Sequence, residues 1–286
     1  MKASAPAPEA VRRYVRQTKV TDPGPVESLY KGLPTDVAGL VQVVQNVFLH
    51  IFWAQRYGVT PAEEQQKHVQ ARLVSRTLEK VIEIDPSPLT VSRPLEKRFF
   101  GNCRDHSTLL ASMLRHQGVP ARARCGFGAY FVPDHYEDHW VCEYWNGQRW
   151  VSVDAQLDGL QWEKLKIDFD TLDMPAGKFV NASEAWLMCR EGKEDPDKFG
   201  IFDMHGLWFI RGNLVRELAA LVEAEMLPWD VWGLMDVEDA SMTAAQYDLL
   251  DAVARALVAD DQAEMERLYM FSEELRVPQE MIVAGI

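Results

Sequence analysis

Asn146-Gly147 stands between residues 139–145 and 148–154, two runs that read as strands. An Asn-Gly pair suits the two positive-φ positions of a type I′ turn. It therefore predicts a two-residue hairpin joining two antiparallel strands, the strongest constraint on the fold that this chain offers. In that register Trp145 faces Gln148. Carried back, the ladder sets Cys142 against Val151, Val141 against Ser152 and His139 against Asp154. Directly opposed residues have Cβ atoms about 4.5–5.5 Å apart, so an imidazole and a carboxylate at 139 and 154 would share a hydrogen bond. The carboxylate would then hold the ring's tautomer and stabilise its protonated form. This pairing requires a ladder without a bulge. By strand alternation Cys142 points to the other face.

Upstream, residues 103–117 carry a helical apolar stripe of Leu109, Leu110, Met113 and Leu114, closed by Gly118 and Pro120. Residues 121–132 are expected to form a strand and 133–138 a polar loop. Cys103 would sit in the first turn of the helix, where backbone N–H groups and the positive end of the dipole favour thiolate over thiol. Its own N–H could donate to a developing oxyanion. Gly101 would allow close approach of backbone to substrate. His106, one turn along, is read as a packing or surface residue, and Arg104 and Asp105 as surface or capping charges. His135 and Asp138 belong to the loop and to its solvation, though they are usable as substrate contacts. Cys125 is a core residue by its strand position, and Cys189 has no base near it in sequence.

The run Gly101-Asn102-Cys103 followed by a helix and then Gly118-Val119-Pro120-Ala121-Arg122 resembles the nucleophile segment of the transglutaminase-like superfamily. His139-Trp140-Val141 resembles that family's histidine strand, and Trp150-Val151-Ser152-Val153-Asp154 its aspartate strand. The resemblance covers residues 99–160 and implies an α+β, papain-like core in which the cysteine helix packs on an antiparallel sheet. It implies Cys103 as nucleophile, His139 as base and Asp154 as the group orienting that base. Three departures stand out. Phe100 cannot donate a hydrogen bond, which leaves the second oxyanion donor unassigned. The family's tryptophan after the histidine is shifted by one place, to Trp140. Ala155 follows the aspartate where proline is frequent.

The expected division is a helical flank over 1–95, a catalytic core over 96–165 and a mostly helical extension packed on the core over 166–286. Residues 1–30 read as an arm or a poorly ordered lead, 36–57 as one helix ending at Gly58, and Thr60-Pro61 as the start of a second running to Ile84. Residues 85–100 read as a proline-rich loop, and 207–225 and 242–270 as helices, with Trp208, Trp229 and Trp232 as core.

A formal net charge of −13 makes nucleic acid an improbable partner. The apolar stretch 37–54 is interrupted by Gln42, Gln45, Asn46 and His50, which describes an amphipathic core helix rather than a membrane span. Met1–Ala10 has no apolar run of the secretory kind, so the expected compartment is a reducing cytoplasm. The cysteines form no C-x-x-C pair and no calcium loop is present, so neither metal nor cofactor is expected. The expected chemistry is transfer of an acyl group from a peptide or small-molecule amide, ester or thioester, through a thioester on Cys103, to water or an amine. The alternative is a non-catalytic binding or scaffold protein on the same fold; a third reading makes the helical flanks a self-assembly surface.

Overall fold

In the computed structural model, which describes residues 9–283, the chain divides into two units that interleave in sequence. One unit holds the chain up to Ala123 and from Val141 to Met174. The other holds Arg124–Trp140 and Pro175–Ile282. The architecture is α+β.

The first unit is built on the helix Cys103–His116, of which every residue but the last is buried. The helices Val37–Val47 and Val74–Ile84 pack against it. Leu40, Val44, Leu78, Leu110 and Met113 form the centre of its core. The expected helix over 36–57 stops at Val47. Phe48–His50 becomes strand β1 instead and pairs in parallel with β2, Phe99–Gly101, setting His50 beside Gly101. All six of these residues are buried, so both faces of the short ribbon are used for packing. Gly58 does end the following turn, at φ 74°.

The helix expected from Thr60 to Ile84 is broken in two. Residues 63–70 form short helical turns, Ala62 rather than Thr60 stands at the cap, and the main helix starts at Val74. The physical reason is Arg104, whose guanidinium donates to the carbonyls of Ala71 and Arg72 and so holds the chain out of a continuous ladder there. Within the preceding turn, His68 stacks on Phe99 at 4.7 Å between ring centres, and its Nδ1 accepts the Phe100 N–H. Burial lowers the His68 pKa to about 4.

The leading segment is docked on the core from Val11 onward rather than forming an arm; residues 1–8 lie outside the described residues. Tyr14 packs edge-on against Trp150, Tyr30 Oη bonds Ser112 Oγ at 2.7 Å, and Arg115 donates to Thr21 Oγ1 at 2.8 Å.

Strands β3 (Ala121–Gly128) and β4 (Tyr136–Trp145) neighbour one another and run through both units. In the first unit, β4 pairs antiparallel with β5 (Trp150–Val153), but not in the expected register. Trp145 faces Trp150, Glu143 faces Ser152 and Cys142 faces Val153. The loop is therefore Asn146 to Arg149, not two residues. Asn146 Oδ1 accepts from the N–H groups of Gln148 and Arg149 at 2.9 and 3.0 Å, and only Gly147 takes a positive φ there. The side-chain turn of Asn146 competes with the backbone turn expected of Asn-Gly, and it wins. Trp145 and Trp150 meet edge-on, and the Arg122 guanidinium lies 4.0 Å from the Trp150 ring centre.

In the second unit, β3 pairs with β6 (Phe179–Asn181), and β4 pairs in parallel with β7 (Phe199–Ile201), which folds back on β8 (Met204–His205). Gly126 is required where β3 meets β6, because a Cβ there would lie 2.3 Å from the Val180 carbonyl oxygen. The helix Ala182–Arg190 packs on the helices Leu207–Val222 and Ala244–Val258. The single helix expected over 242–270 is two. Asp260 takes a φ of 51° between them, and Asp261 caps the second, Gln262–Phe271. Trp232 is buried and donates to the Leu275 carbonyl, but Trp208 and Trp229 are 43% and 39% exposed and are not core.

Arg124 and Glu217, both buried, form an ion pair, and Glu217 also accepts the Ser183 N–H at 2.7 Å. Removing one member of a buried pair strands the other charge, typically costing about 3–5 kcal/mol. Glu217→Ala is thus expected to lower the unfolding free energy by about that amount in urea titrations; a loss below about 1 kcal/mol would mean that the pair is not what holds this helix to β3.

Candidate active site

Cys103 opens the 14-residue helix, as expected, and is 7% exposed. The start of the helix is held by a reciprocal cap. Asn102 Oδ1 accepts the Asp105 N–H at 3.1 Å, and Asp105 Oδ2 accepts the Asn102 N–H at 2.9 Å. Gly101 has a structural reason here: a Cβ would stand 3.0 Å from Asp105 Oδ2. Arg104 and Asp105 are not surface charges. Both are almost fully buried and bond each other at 3.1 Å. Burial raises the Asp105 pKa to about 6, against the opposing pull of Arg104. His106 is a packing residue. Its Nδ1 lies 2.8 Å from the Asn102 carbonyl oxygen and its ring packs edge-on against Phe48.

His139 lies in β4, is 2% exposed and belongs to the second unit. Phe131, Tyr130 and Phe179 surround its ring edge-on, with centres 4.8, 6.0 and 6.5 Å away. Asp138 belongs to the strand rather than to a solvated loop. Its Oδ1 accepts from Asn213 Nδ2 at 2.8 Å, and burial raises its pKa while Asn213 and Arg216 oppose the rise. His135 stays in the preceding loop.

Asp154 directly follows β5, is 1% exposed and belongs to the first unit with Cys103. Its N–H donates to the Thr171 carbonyl and its Oδ1 accepts the Gln156 N–H, each at 2.9 Å. Beyond it runs a polar chain, buried at Gln156 and Gln161 and half-buried at Tyr57 and Asp158, that the sequence did not signal: Gln156 to Gln161, Gln161 to Tyr57, and Tyr57 to Asp158. Gln45 donates to the carbonyls of Ala155 and Leu157. The Asp154 turn is therefore fixed from three sides. The register corrects the expected cross-strand pair, because the ladder ends with Cys142 opposite Val153, and its next step would set Asp154 against Val141 rather than against His139. Alternation still places His139, Val141 and Glu143 on one face of β4, and Ser152 opposite Glu143 shares that face.

The other cysteines stand apart from this chemistry. Cys125 and Cys142 are wholly buried, and burial with Glu194 and Asp195 nearby pushes the Cys189 thiol up to about 12. Among the described residues no group of three or more His, Cys, Asp or Glu side chains is placed to hold a metal ion, and no helix is long and apolar enough to cross a membrane.

The sequence profile of the Transglutaminase-like superfamily matches residues 53–155, a stretch that contains Cys103, His139 and Asp154. No curated protein matches the chain. A solved structure of a proposed cysteine protease from Cytophaga hutchinsonii is similar at 15% identity and a TM-score of 0.37, over 62% of this chain and 48% of that one. The chain thus spans about half the length of that protein.

The raised Asp105 pKa has a defined sign. A carboxyl whose folded pKa exceeds its unfolded value of 3.8 contributes stability fully present below about 4 and lost as pH rises through about 6. Asp105→Asn is expected to flatten the pH dependence of stability over that interval, as measured by unfolding at stepped pH. An unchanged slope would place the Asp105 pKa in the ordinary range.

Proposed function

We propose that the chain, which carries a transglutaminase-like domain, is a cysteine-dependent acyl-transfer enzyme with Cys103 as nucleophile, His139 as general base and Asp154 as the residue that orients His139. The observation that carries this reading is the position of Cys103 as first residue of a buried, capped helix inside the stretch that the family profile matches. A thiol there faces backbone N–H groups with no partner within the helix and the positive end of the helix dipole.

In the proposed reaction His139 takes the thiol proton and the Cys103 sulfur attacks the carbonyl carbon of an amide, ester or thioester. The carbonyl π pair moves to oxygen and is stabilised by the Cys103 N–H. As the pair returns, the bond to the leaving group breaks, and the leaving group takes the proton from His139. Water or an amine then attacks the thioester, loses its proton to His139 and regenerates the thiol. The edge-on aromatic rings around His139 would limit its rotation. Acyl donors are expected among peptides and small amides, esters or thioesters, in a cytoplasmic setting.

The test is the rate of iodoacetamide labelling against pH, with modified sites mapped by mass spectrometry. Cys103 is expected to react first and already below neutral pH, and His139→Ala to abolish that low-pH reactivity. Cys103 labelling no faster than Cys189, or with the same pH profile without His139, would overturn the assignment.

A further inference from the structure

Asn102 uses only half of its side-chain amide. Its Oδ1 accepts the Asp105 N–H, which also decides the orientation of the group: a flipped amide would set an NH2 against an N–H. The remaining Nδ2 has no hydrogen-bond partner among the described residues, although Asn102 is 3% exposed. A buried donor without an acceptor costs about 1–3 kcal/mol. An amide NH2 only donates, so what it lacks is an acceptor oxygen. The group is planar, and its oxygen is held on the Asp105 N–H, which fixes the amide at the start of the helix that Cys103 opens.

The position is rigid as well as unsatisfied. The Asn102 N–H is held by the buried Asp105 carboxylate, and the Asn102 carbonyl oxygen by the His106 ring at 2.8 Å and by the N–H groups of Asp105 and His106. A donor fixed in advance, with no acceptor among the described residues, suits charge that develops only during a reaction. Neither Phe99 nor Phe100 can fill that place, since neither side chain has a donor.

We propose that Asn102 Nδ2 is the second donor of the oxyanion hole, bonding the acyl carbonyl oxygen beside the Cys103 N–H. This rests on the reading of Cys103 as nucleophile. When the sulfur–carbon bond forms, the carbonyl π pair becomes an oxygen lone pair. Asn102 donates to that oxygen without losing its proton. When the pair returns and the leaving group departs, the bond weakens again. Asn102 is thus a catalytic residue with no part in proton transfer.

Two reagents separate this role from a structural one. Iodoacetamide alkylates a thiolate by displacing iodide at a tetrahedral carbon, and no oxyanion forms. 4-Nitrophenyl acetate acylates the same sulfur through a tetrahedral oxyanion and releases 4-nitrophenolate. The ratio of acylation to alkylation rate at Cys103 cancels the thiolate fraction. Asn102→Asp and Asn102→Ser both keep an oxygen for the helix cap and remove the NH2. In both, thermal unfolding is expected to stay within a few degrees of the wild type, and the ratio to fall by on the order of a hundredfold, the usual cost of one oxyanion donor. If one variant fails to fold, the other carries the test. A ratio unchanged in the folded variants overturns the proposal, as does an equal fall in both rates, which would make Asn102 a residue of the cap alone. Wild-type Cys103 inert to both reagents overturns instead the nucleophile reading on which the proposal stands.

Discussion

The buried carboxylate of Asp105 ties several parts of the first unit together. One oxygen accepts the Asn102 N–H and the other the Arg104 guanidinium, which reaches on to the carbonyls of Ala71 and Arg72. Helix start, cysteine position and the break between the two helical segments before β2 therefore share one charge. Taking a carboxylate and a guanidinium out of water is expensive, and the arrangement persists because nearly every donor around the pair has an acceptor. The same economy explains Gly101, where only the absence of a Cβ lets the Asp105 side chain return to the backbone.

Features that depend on neighbours in sequence were legible. The helix from Cys103 was readable from its stripe and its stop at Gly118, whereas the strand expected over 121–132 ends at Gly128 and the one expected from 139 begins at Tyr136. Asp105 was open to reading as a capping charge, and it does close a reciprocal cap with Asn102; the burial of Arg104 was not legible. The hairpin was legible as a hairpin but not in register, because Asn146 had two turn chemistries open to it and the side-chain one prevailed. A shift of two residues keeps every side chain on its expected face and changes only its partner.

What sequence could not supply are partners far apart in the chain. Arg104 looks like a surface residue until the carbonyls of Ala71 and Arg72 accept its N–H groups, and Asp138 looks like a loop residue until Asn213 donates to it. The same holds for the run from Gln156 through Gln161 to Tyr57, whose three polar side chains bond one another across the chain. The exposed Trp208 and Trp229 show the converse: a large apolar side chain is no proof of burial when its segment starts or follows a helix.

His68 offers an unforced observer of this region. Because its Nδ1 accepts the Phe100 N–H, the ring proton sits on Nε2, and a pKa near 4 leaves it there throughout the neutral range. Stacked on Phe99, its carbon-bound protons fall in the shielding cone of an aromatic face. Its resonances should therefore be displaced and independent of pH, and sensitive to small movements of the strand that leads into the Cys103 helix. Occupation of the site would become visible in a magnetic spectrum without any label near the sulfur.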